Sequence, residues 1–259
     1  QQLNAAAFTS APSLEVALGG GNDRVYETSR ADDLDLGGGN DVLELAVPGA
    51  TNTYAQLGGD ADQVRVELAT AATVSATSTG ANLTIAATAG STRNDTILGA
   101  ERLDVIGSPG ADTISAAGIT ASSAVGSTFI WGRAGNDTLS AGGRQTTVYG
   151  EAGRNVLNGG TGLGLLWTGS ETDTVNGSPS AAETFVFDTG SLRAGGRTVT
   201  GLDDTDRYEI LATRSDTVVR SRPGSGGTPL ATASLHRSGQ QVRLPGTGTF
   251  APALEEADQ

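Results

Sequence analysis

Apolar residues recur along this chain at a spacing of nine. Val25, Leu34 and Leu43 keep one phase near the start, and Leu139, Val148, Leu157, Leu166 and Val175 keep it further on. Each stands two places after a position that is often acidic, and the clearest copies carry a glycine run just before the acid. The first such copy is Leu18-Gly19-Gly20-Gly21-Asn22-Asp23-Arg24-Val25, and its partner is Leu36-Gly37-Gly38-Gly39-Asn40-Asp41-Val42-Leu43. Asp32 falls midway between Asp23 and Asp41. In the later block the acid position reads Asp137, Thr146, Asn155, Gly164, Asp173, so the apolar register persists where the acid does not. Asp62 before Val64, Asp95 before Ile97 and Asp112 before Ile114 are weaker copies.

A nine-residue unit of this kind predicts a tight turn followed by a very short strand with one inward apolar residue. Two units then make one coil with a turn on each side. Residues eighteen apart stack directly, at about the 4.8 Å spacing of paired strands. That geometry places Asp23 and Asp41 on one edge and Asp32 on the other. It also stacks Asp137, Asn155 and Asp173, with Thr146 and Gly164 facing the opposite way. Between the blocks, residues 66–92 alternate small, hydroxyl and β-branched side chains and read as strands that pack without metal.

Composition narrows the chemistry. The 259 residues include 38 glycines, no cysteine, no methionine and a single histidine, His236, and all sixteen basic residues are arginine. Disulfides, thiolate metal sites, cysteine nucleophiles and two-histidine zinc motifs are therefore excluded. A net charge of -13 argues against nucleic acid, whose phosphates require a basic surface. No apolar run approaches the roughly 20 residues of a membrane-spanning helix, so no membrane insertion is expected. The missing methionine reads as a processed or excised product. Neither a G-x-S-x-G elbow nor a phosphate-binding loop occurs, and the acids cluster in the turns, so no enzyme activity is expected and no catalytic residue is assigned. Hard oxygen donors in flexible glycine turns instead suit calcium.

These repeats resemble the nonapeptide G-G-x-G-x-D-x-U-x, with U apolar, of the RTX family of calcium-binding proteins. The resemblance covers roughly residues 15–190. Glu101–Ser115 looks like the junction that opens a fresh block, and Glu183–Phe187 like the sequence that closes one. It implies an all-β fold: a right-handed parallel β-roll or β-helix solenoid over 1–187, with a β capping region over 188–259. Calcium held between Asp23 and Asp41 would also take carbonyls from Gly19, Gly21, Gly37 and Gly39. Asp32, Asp62, Asp112, Asp137 and Asp173 are the further metal candidates, while Asn155 offers only a neutral oxygen and predicts a weak or missing site. Arg133, Arg144 and Arg154 stand in turns where a guanidinium would bridge carboxylates in place of the ion.

The resulting functional expectation is an extracellular, calcium-binding structural protein of a bacterial surface, exported through type I secretion and self-associating into a layer, filament or matrix. The alternatives are a detached calcium-binding module of a secreted enzyme and an adhesin module contacting glycans or a cell surface. Leu14, Val16 and Leu18 alternate like a strand within the otherwise turn-poor residues 1–17, a segment suited to pairing with another subunit. His236 and the LPxTG-like Leu244-Pro245-Gly246-Thr247-Gly248 are read as incidental.

Overall fold

In the computed structural model, side chains are described for residues 2–3, 13–27, 31–47, 52–169, 173–178, 181–186 and 200, and beyond these a further set of strands is described by backbone alone. His236 and residues 244–247 lie outside the described residues. No helix occurs among the described residues, so none is long and apolar enough to cross a membrane.

The chain winds as a parallel β-solenoid whose coils alternate between two sheets. The first sheet is 11-stranded, and its successive neighbours include Arg24–Tyr26, Val42–Val47, Gln63–Leu68, Arg102–Ile106, Ser127–Trp131, Gln145–Tyr149, Gly164–Trp167 and Glu183–Asp188. The second is 14-stranded and includes Glu15–Ala17, Asp33–Asp35, Tyr54–Gln56, Thr113–Ile119, Thr138–Ser140, Val156–Asn158 and Thr174–Asn176. The eighteen-residue coil is visible in the register: Val25 pairs with Leu43, and Leu139 with Leu157 and then Val175. All five apolar residues of the later phase are fully buried, as are Val25, Leu34 and Leu43. The core is therefore a narrow stack of aliphatic side chains, one per strand in the shortest strands and three in the longer Val42–Val47 and Gln63–Leu68, which suits so apolar-poor a sequence.

Residues 66–92 form strands as the alternation predicts, but not as another coil. Thr73–Thr79, Asn82–Thr88 and Thr92–Leu98 make an antiparallel meander inside the second sheet. Its outer members rejoin the solenoid by parallel pairing, Thr92–Leu98 with Tyr54–Gln56 and Thr73–Thr79 with Thr113–Ile119. The second sheet thus gains strands while the first passes directly from Gln63–Leu68 to Arg102–Ile106. At the far end, parallel pairing continues past residue 187 into Thr198–Leu202 and Arg207–Leu211, and each of these strands then takes an antiparallel neighbour.

On the outer side of the first sheet, Trp131, Tyr149 and Trp167 occupy one register position in successive strands. Phe129 stacks on Trp131 at 5.8 Å, Trp131 on Tyr149 at 5.7 Å, and Tyr149 meets Trp167 at 5.8 Å. Arg102 closes the column, its guanidinium 4.4 Å from the Phe129 ring centre. Because the rings spend their faces on each other, the column works as a coil-to-coil clamp. Trp131→Ala is expected to cost about 2 kcal/mol by removing two ring contacts and half-buried area, measured as a lowered denaturant midpoint at unchanged slope.

Candidate metal centre

The inward acids line the two edges where the chain turns from one sheet into the other. Asp23, Asp41 and Asp62 immediately precede first-sheet strands, and Glu101 takes the same place in the next coil. Asp32, Asp95, Asp112, Asp137, Asn155 and Asp173 belong to the second-sheet edge, where Asp95 lies within the strand Thr92–Leu98. Every one of these except Glu101 is buried.

A common hydrogen bond sets each carboxylate in place. One oxygen of the acid accepts the backbone N–H of the equivalent residue in the preceding coil: Asp23 N–H donates to Asp41 Oδ1, Asp41 N–H to Asp62 Oδ1 and Asp62 N–H to Glu101 Oε2, all at 2.8 Å. On the other edge Asp112 N–H donates to Asp137 and Asn155 N–H to Asp173 at 2.8 Å, and Asp137 N–H to Asn155 at 2.9 Å. The asparagines just before several of these acids run the ladder in reverse, Asn22 Oδ1 accepting from Asn40 N–H at 3.0 Å and Asn136 Oδ1 from Arg154 N–H at 2.9 Å. The Asn-Asp pairs therefore staple coils in both directions through one oxygen each.

What becomes of the second oxygen depends on the turn. In five turns among the described residues, the residues four and two places before the ladder position both have positive φ: Gly19 and Gly21, Gly37 and Gly39, Gly58 and Asp60, Arg133 and Gly135, Glu151 and Gly153. Three of these are not glycine, Asp60 at 85°, Arg133 at 65° and Glu151 at 58°, a conformation that L side chains resist. Neither Ser108 nor Gly110 before Asp112 has positive φ, nor does Gly169 before Asp173. There the turn N–H reaches the carboxylate, Ser108 N–H donating to Asp112 Oδ2 at 2.6 Å and Gly169 N–H to Asp173 Oδ2 at 2.8 Å. Such turns are closed by their own backbone. In the positive-φ turns the peptide is flipped, and Asp41 Oδ2, Asp62 Oδ2 and Asp137 Oδ2 are buried with no donor.

Asn155 reveals what faces those oxygens. It sits in the fifth positive-φ turn, and its Nδ2 donates to Gly150 O at 2.8 Å and to Gly153 O at 3.3 Å, the carbonyls five and two residues before it. The equivalent carbonyls belong to Leu36 and Gly39 for Asp41, to Leu57 and Asp60 for Asp62, and to Gly132 and Gly135 for Asp137. A carboxylate in that place brings acceptors against acceptors, which a cation, a proton or a bridging water reconciles. Accordingly, burial pushes the carboxyls of Asp62 and Asp137 up to about 6, with neighbouring acids adding to the rise, and raises that of Asp41. Among the described residues no three acids or histidines gather at one point, so the donors of each open turn are one carboxylate and main-chain carbonyls.

The carbonyl of Gly19 is already engaged along the stack. It accepts Gly38 N–H at 2.9 Å and lies where a Cβ on Gly37 would stand, 1.7 Å away, so that position admits only glycine. Arg133 does not bridge ladder acids: it pairs with the surface residue Glu67 at 2.7 Å. Arg144 donates to Ala121 O at 3.0 Å, and Arg154 is exposed and anchored through its backbone. The buried guanidinium is that of Arg93, held by Asp95 and Glu27, and Glu101 extends the first-sheet edge by one acid. Neither residue sits in a glycine-rich nonapeptide; the signals for Glu101 are its place at the head of the Glu101–Ser115 junction and two residues before the inward Leu103. No family model matches this chain, and neither curated proteins nor solved structures provide a significant match.

Proposed function

We propose that this chain is a calcium-binding structural protein that folds and assembles outside the cell, on a bacterial surface, as its repeat resemblance to the RTX family implies. The observation that carries the reading is the open turn: a buried carboxylate oxygen without a donor, set where an asparagine in the same turn finds two carbonyls. One carboxylate with main-chain carbonyls is a hard-oxygen set, which suits calcium better than a transition metal. The first-sheet edge stacks Asp23, Asp41, Asp62 and Glu101 coil on coil, so ions bound there tie neighbouring coils together. Asp137 adds an isolated site on the other edge, while the closed turns at Asp112 and Asp173 take none.

Self-association rests on the first coil. Gln2–Asn4 and Glu15–Ala17 each pair with one neighbour only, on the side of the following coil, and Leu3, Val16 and Leu18 are packed only partly against the core. Unpaired backbone at the end of a parallel sheet is a template for another chain. Electron microscopy of the purified protein is expected to show filaments or sheets in millimolar calcium and dispersed particles in chelator. Deleting residues 1–13 with Leu14→Ser and Val16→Ser should leave calcium-folded monomers. A native protein that stays monomeric at high concentration in calcium would overturn the assembly reading and leave the calcium reading standing.

A further inference from the structure

The coil that opens at Asp62 on one edge carries Asp95 on the other, and the two acids are satisfied in opposite ways. Asp95 Oδ1 accepts Thr53 N–H at 2.9 Å, the same ladder bond that Asp62 accepts from Asp41. Its remaining capacity is filled by the Arg93 fork, Nε to Oδ2 and one terminal nitrogen to Oδ1, both at 2.8 Å. The same terminal nitrogen donates to Glu27 Oε1, and the other to Ala46 O at 3.0 Å. Thr53 Oγ1 also donates to Glu27 Oε1. Arg93 is the largest fully buried side chain among the described residues, with 1% of its side chain exposed, and Asp95 is at 0%.

We infer that Arg93 is the chain's built-in counter-cation, occupying a latent divalent-metal site formed by Glu27, Asp95, Thr53 Oγ1 and Ala46 O. Around one guanidinium the fold collects two carboxylates, a hydroxyl and a main-chain carbonyl, all removed from water. That is a calcium ligand set in kind, and water would complete its shell. In charge a divalent ion fits better still, since +2 balances two carboxylates where arginine supplies +1. Arginine is one residue type able to fill such a place permanently, because it stays charged when buried and its planar fork serves several oxygens at once. Asp95 therefore takes no metal in the native chain, and Arg93 locks its edge of this coil while the edge across the sheet awaits an ion. The inference stands on the Arg93 cluster and does not depend on calcium binding at Asp41 and Asp62.

The test compares native protein with Arg93→Ala by calcium titration calorimetry and by thermal unfolding in calcium and in chelator. Arg93→Ala should bind about one more calcium per chain than the native protein. It should lose its structure in chelator and regain it in calcium. Arg93→Lys, which keeps a charge in the cluster, should bind the native number. Arg93→Ala combined with Glu27→Gln and Asp95→Asn should lose the added ion. An Arg93→Ala chain that binds the native number, or that stays unfolded at every calcium concentration, overturns the inference. Should native protein bind no calcium while Arg93→Ala binds one ion, the proposed function fails and the latent site stands.

Discussion

In chelator at neutral pH the native chain is expected to melt at a much lower temperature than in millimolar calcium, which should restore the stability of the early coils. Asp23, Asp41, Asp62 and Glu101 form one column of acids. At a coil spacing of about 4.8 Å and an effective dielectric near 20, each neighbouring pair of charges repels by roughly 3 kcal/mol. Two or three such terms rival the whole stability of a domain of about 5–15 kcal/mol, and the thin aliphatic core has little to set against them. An ion between coils removes the repulsion and supplies the missing partner of the second oxygens, so its binding energy becomes folding energy. Acid should partly substitute for calcium. The carboxyls of Asp62 and Asp137 titrate near 6 in the folded chain, above the ordinary carboxylate value, so the folded state binds their protons more tightly than the unfolded state does. Stability from this source is fully present below about pH 4 and is lost as pH rises through about 6. In chelator the melting temperature should therefore fall between those pH values, and in calcium the fall should be suppressed. A chain that melts identically in chelator and in calcium across that range would remove the metal from the account.

The nine-residue phase made the inward positions legible. Residues such as Leu139, Val148 and Leu157 had only one way to face, because a two-residue periodicity and a fixed turn length leave a single register. The meander over Thr73–Leu98 was legible as strands but not as an antiparallel insertion, since alternation of Thr, Ala and Val is the same whether a strand runs with or against its neighbour. Its glycine turns, Gly80 and Gly90, carry no acid to mark them as different. The ladder acids were likewise readable, yet which of them is open was not. Ser108-Pro109-Gly110-Ala111-Asp112 resembles an open glycine turn and is closed, whereas Arg133 and Glu151 are non-glycine residues that nevertheless take positive φ. Arg93 was hidden as well: an arginine two residues from an aspartate on an alternating strand reads as a surface pair, and only the burial of that strand between coils turns it inward.

Replacing aspartate by asparagine at the open turns should reverse the calcium dependence, and this is the sharpest consequence of the fifth turn. Asn155 already shows the exchange: its Oδ1 keeps the ladder bond from Asp137 N–H while its Nδ2 satisfies Gly150 O and Gly153 O. Asp41→Asn with Asp62→Asn keeps the same ladder bonds and turns two repelling carboxylates into donors aimed at Leu36 O, Gly39 O, Leu57 O and Asp60 O. Each substitution then removes a buried unsatisfied oxygen, worth about 1–3 kcal/mol, and two negative charges leave the column. In chelator the double variant should be more stable than the native chain by about 4 kcal/mol. In saturating calcium the order should invert, because the variant has lost the carboxylates that hold the ions. Asn155→Asp is the opposite move: it opens the fifth turn and should add a calcium site there while destabilising the chain in chelator. Denaturant titrations of the three proteins, with and without calcium, read all of this directly. A double variant less stable than native in chelator would mean that the second oxygens of Asp41 and Asp62 do not face carbonyls, and the open-turn geometry on which the metal assignment rests would have to be given up.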